Sequence, residues 1–135
     1  MTCQEKKEFL QQYRAAEAEE HRLELEIERW QARAAKMTVG YGGAPSGGGD
    51  GRSLERAVAR IDELIRQLTS QRDKLARLRQ EIGDAIDSVP EPKLRELLQM
   101  RYIDGMTFEK IAVEMNYSYV HICRMHGQAL ALIML

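Results

Sequence analysis

A chain of 135 residues with 44% hydrophobic content can bury one modest core or one long helical seam, which excludes a large enzyme cleft. Charged residues make up 30% of the chain and nearly cancel at a net charge of −1, so any contact with nucleic acid must rest on local patches. Cys3 and Cys123 are too thin a framework for a disulfide-held secreted protein, no apolar run approaches the roughly 20 residues of a membrane span, and MTCQEKKEFLQQ lacks a signal-peptide core; the expectation is the cytoplasm, with no membrane partner.

The first predicted element is a helix from about Gln4 to Met37. Phe9, Tyr13, Ala16, Glu20, Leu23, Ile27, Trp30, Ala34 and Met37 alternate steps of three and four, the coiled-coil period. Residues 38–52, TVGYGGAPSGGGDGR, have no periodicity and read as a flexible glycine-rich loop. A second helix is expected over 53–87, with a seam of Leu54, Ala57, Ile61, Leu64, Leu68, Gln71, Leu75, Leu78 and Ile82. In reverse order the two seams match: Leu23 falls opposite Leu68, Ile27 opposite Leu64, and the single polar positions, Glu20 and Gln71, face each other. Charge agrees, because the first arm is rich in glutamate and the second in arginine. These patterns predict an antiparallel coiled-coil helical hairpin with arms about 50 Å long at 1.5 Å per residue. The same seams could also pair between two chains.

Residues 88–135 read as a three-helix unit. Ser88 and Glu91 have capping-box spacing, with Pro90 and Pro92 tolerated in a first turn; Leu94, Leu97, Leu98 and Tyr102 form a stripe, and Gly105 is a natural stop. Thr107 is placed to cap a short helix carrying Glu109 in its first turn and Ile111, Ala112 and Met115 on one side. Asn116, at the corner, suits a positive φ. Ser118 then caps a helix from Tyr119 to at least Leu130, which buries Ile122, Met125 and Ala129. Its other face carries Val120, Arg124 and Gly127, flanked by His121, Cys123 and Gln128: the face a DNA groove would meet in a helix-turn-helix.

The string RYIDGMTFEKIAVEMNYSYVHICRMHGQAL, residues 101–130, resembles region four of bacterial sigma factors and, more closely, small phage-encoded regulators of the RinA/ArpU kind. The resemblance implies an all-α, DNA-binding regulator of transcription in a bacterial host cytoplasm, with double-stranded DNA and RNA polymerase as partners. It also implies base contacts from the early and middle exposed positions of the last helix, here Tyr119, Val120 and Arg124. Two other readings stay open: a DNA-packaging component like a small terminase subunit, and a coiled-coil adaptor or anti-host factor that binds protein alone.

The candidate site residues are Ser118, Tyr119, Val120, His121, Arg124 and Gln128, with Arg101 and Lys110 as phosphate contacts. Each has a plainer reading. Arg124 can be a solvated surface arginine, Tyr119 can wedge between helices, and Arg101 and Lys110 can pair with Asp104 and Glu109. Steps of two and three send His121, Cys123 and His126 to diverging sides of a helix, so no zinc site is expected. The glycine-rich loop lacks the GK[ST] ending of a nucleotide-binding loop, and no catalytic set is evident, so neither cofactor nor enzyme activity is expected. The apolar run ALALIML, with Leu130, Leu132, Ile133 and Leu135, is expected to pack on the hairpin or form the contact of a homo-dimer or higher homo-oligomer.

Overall fold

The computed structural model describes residues 1–41 and 51–135, and every element among them is helical. Helix α1 spans Cys3–Tyr41, α2 Gly51–Asp87, α3 Pro92–Leu98, α4 Phe108–Met115 and α5 Tyr119–Leu132; α3 continues directly into a π-helical stretch, Gln99–Ile103. The predicted flexibility of the glycine-rich stretch concerns residues 42–50, which lie outside the described residues. At its edges the helices run further than expected. Thr38, read as loop, is helical, and its Oγ1 donates to the Ala34 carbonyl one turn back at 2.9 Å.

The chain divides into two compact units, residues 18–73 and residues 1–17 with 74–135. In the first, α1 and α2 pair antiparallel. Leu23, Ile27, Leu64 and Leu68 form one buried cluster with Trp30 packed against it, and Arg72 Nη2 donates to Glu24 Oε1 at 3.0 Å across the pair. Each fully buried aliphatic side chain is worth about 1.5–3 kcal/mol of transfer free energy. The seam read from spacing is present throughout this unit: Ala57, Leu64 and Leu68 are buried, and Leu54, Ile61, Glu20 and Gln71 are half-buried.

In the second unit the short helices do not close a core by themselves. Leu10 and Ala16 of α1 and Leu78, Ile82, Ala85 and Ile86 of α2 share one cluster with Leu94, Leu97, Leu98, Ile111, Ile122 and Ala129. Leu10 has no exposed surface, and Lys6 Nζ donates to the Leu130 carbonyl at 2.8 Å. Tyr102 and Ile103 are both buried, although they follow one another in sequence. The π-helical winding accompanies this: Asp104 N–H reaches back five residues to the Gln99 carbonyl at 3.0 Å. The expected stop follows, with Gly105 at φ 71° and Met106 N–H bonded to the Met100 carbonyl at 3.0 Å.

The start of α3 differs from the expected capping box. Glu91 precedes Pro92, whose ring disfavours helical backbone at the residue before it, so Glu91 is extended at φ −89°, ψ 123° and serves as the N-cap without a side-chain bond. Pro92 is the first helical residue and Pro90 lies outside. Ser88 acts elsewhere: its Oγ donates to the Ala85 carbonyl at 2.5 Å and accepts from Met134 N–H at 3.0 Å.

Candidate nucleic-acid interface

Local chemistry sets the angle between α4 and α5. Thr107, extended at φ −72°, ψ 158°, accepts from Lys110 N–H through Oγ1 at 3.2 Å and opens α4. Asn116 closes it in the left-handed region, at φ 60°, ψ 43°, as the corner demanded. Tyr117 N–H bonds to the Ala112 carbonyl at 3.0 Å, and Ser118 Oγ accepts from His121 N–H at 3.1 Å to open α5. Both cap positions and the positive φ were readable from residue type alone.

Helix α5 buries Ile122, Met125, His126, Ala129 and Leu130 against the core. The opposite side holds the expected residues in solvent: Ser118, His121, Arg124 and Gln128 are exposed, with Tyr119 48% and Val120 59% exposed. A methyl group added at Gly127 would meet nothing within 4 Å, so the side is open at this point too. Arg124 has no hydrogen-bond or ion-pair partner among the described residues. Tyr119 lies on the surface, where a side-chain hydrogen bond with Cys123 raises the phenol above its ordinary pKa. The three polar residues weighed for zinc part as expected, His126 inward and His121 and Cys123 outward. No group of three or more metal-ligating side chains occurs among the described residues.

The two flanking cations differ. Lys110 is exposed. Arg101 is half-buried; its Nη1 donates to the Met106 carbonyl at 3.1 Å and its guanidinium lies 4.1 Å from the Phe108 ring centroid, so it ties the π-helical stretch to the start of α4. Of the four apolar residues expected at a contact between protomers, Leu130 and Ile133 are 2% and 3% exposed within the chain's own core, while Leu132 and Leu135 remain 43% and 44% exposed.

Two features were missed. His126 is buried with its Nε2 2.7 Å from Tyr102 Oη, and the Phe108 ring stands edge-on to it with centroids 4.9 Å apart. Burial pushes His126 down to about 4 and Tyr102 up to about 12, so near neutral pH the pair is an uncharged hydrogen bond, the phenol donating when the imidazole carries its proton on Nδ1. The signal was present, since 122, 125, 126 and 129 make the broad apolar face of a core helix. The second is Lys93 on α3, whose Nζ donates to Tyr117 Oη at 2.7 Å.

A short helix, a left-handed corner and a second helix with an open polar side, packed on α3 and its π-helical continuation, make a tri-helical helix-turn-helix. Residues 85–133 match the family model Sigma-70, region 4. That region is a DNA-binding helix-turn-helix domain, so this part of the chain is similar to a non-catalytic nucleic-acid reader. No curated protein and no solved structure matches the chain. No helix among the described residues is long and apolar enough to cross a membrane.

Proposed function

We propose that the chain is a sequence-specific, DNA-binding regulator of transcription that reads the major groove with the solvent side of α5. The observation that carries this reading is the open face of Tyr119, Val120 and Arg124 on a helix within the segment matched by sigma-70 region 4. An exposed arginine there can grip guanine with two hydrogen bonds, worth about 1–3 kcal/mol of discrimination against the wrong base. The likeness of residues 101–130 to small phage-encoded regulators supports a phage or prophage setting, and the region-four likeness makes RNA polymerase the protein partner to test. A second copy of the chain, meeting the first through exposed Leu132 and Leu135, would place two such helices on paired half-sites. The arms would serve this task as a coiled coil.

Fluorescence anisotropy of the protein on DNA from its own genomic neighbourhood, beside scrambled DNA at low and near-physiological salt, tests the reading. The expected result is binding to one fragment that survives the higher salt, with Arg124→Ala losing affinity only at particular base pairs. Binding indifferent to sequence and abolished by salt would overturn it.

A further inference from the structure

Segment 85–133 holds six carboxylates and five cationic side chains, so it has no surplus of positive charge for a polyanion. Two of the cations are committed to the chain's own backbone. Arg95 Nη1 donates to the carbonyls of Val89 at 2.7 Å and Pro90 at 3.2 Å, and Arg101 is bound to the Met106 carbonyl as described. Lys93, Lys110 and Arg124 remain exposed.

Among these three Lys93 is the one fixed in place by its surroundings. Its Nζ bonds to Tyr117 Oη and lies 5.0 Å from the same ring's centroid; the Tyr117 ring in turn stands edge-on to His121, centroids 4.8 Å apart. Tyr117 belongs to the turn between α4 and α5, and His121 to the first turn of α5. A cation from α3 is thereby held against the entry of the helix that faces the groove. An ammonium has three donors, and the phenol takes one. The pair does little for the fold, because a lysine bonded to a neutral phenol at the surface exchanges one hydrogen-bond partner for water's and loses side-chain freedom. Its use lies in presenting a pre-oriented charge.

We propose that Lys93, positioned by Tyr117, binds a backbone phosphate of double-stranded DNA at the edge of the groove entered by α5; this rests on the DNA-binding reading above. A phosphate contact carries no base information, so its signature is the salt dependence of binding. The full chain is titrated by anisotropy onto a labelled duplex of mixed sequence between roughly 50 and 200 mM salt, as wild type, Lys93→Gln, Lys93→Arg and Tyr117→Phe. In Lys93→Gln the slope of log K against log salt should shrink by about 0.9, with affinity falling alike on every sequence tested. Lys93→Arg should restore the slope. Tyr117→Phe, which keeps the ring and the charge but frees the ammonium, should keep the slope and bind several-fold more weakly, as expected when a side chain must be ordered on binding. Circular dichroism should show unchanged helicity in all three. A wild-type slope in Lys93→Gln, or a loss confined to certain base pairs, overturns the proposal while leaving the DNA reading intact. A wild type that binds no duplex overturns both.

Discussion

His126 and Tyr102 hold α5 to the π-helical stretch by a bond between two uncharged groups, and that imposes a pH dependence on the fold. The imidazole protonates near 6.5 when unfolded and near 4 when folded, so between those values the unfolded state binds more protons. Stability is therefore fully present above about 6.5 and falls as pH drops toward 4, each pKa unit of difference being worth about 1.4 kcal/mol at most. Urea midpoints at pH 7 and pH 5 should differ in the wild type and converge in His126→Gln, which can still accept from Tyr102; an equal drop in both would assign the effect to other groups. The inward turn of His126 could be read from the apolar face it shares with Ile122, Met125 and Ala129, but its partner Tyr102, 24 residues away, could not. The corner was legible: asparagine, with its short polar side chain, takes φ 60° more readily than other non-glycine residues, and that property belongs to the residue alone.

At the scale of elements, legibility followed periodicity. The seams of α1 and α2 and the stripe of α3 repeat at helical spacing, and burial reproduces them. The π-helical winding over Gln99–Ile103 has no such mark, because moving one hydrogen bond from the fourth to the fifth residue back leaves composition untouched. Ser88 fell outside for a related reason: its bond to Met134 joins residues 46 apart, and only tertiary packing brings them together. That bond fixes the segment after α5 to the end of α2. Ser88→Ala should leave α5 formed and cost roughly 0.5–1.5 kcal/mol overall. It should selectively raise the hydrogen-exchange rate of the Met134 amide, and unaltered exchange there would show that the segment is held by Ile133 alone.

For the molecule as a whole, near-zero net charge means that the proposed affinity for DNA would be assembled from a few placed contacts, and the proposed pairing of two copies would add to it. The sequence placed four apolar residues at the contact between copies; two of them instead complete the core, because Ile122, Met125 and Ala129 continue through Leu130 to Ile133 as one buried face. The proposed self-association then rests on Leu132 and Leu135, the two that stay exposed. Light scattering should return twice the chain mass for the wild type and the chain mass for Leu132→Asp with Leu135→Asp. A wild type at the chain mass would remove the paired half-site from the reading.

The bond from Lys6 to the Leu130 carbonyl joins positions 124 apart. On a ribosome, α1 is made early and must wait, its Leu10 without a core, until nearly all of the helix-turn-helix has emerged. Residues 85–133 released by themselves would lack that wall, and a protease cut anywhere between the two would leave α5 seated partly on a separate polypeptide.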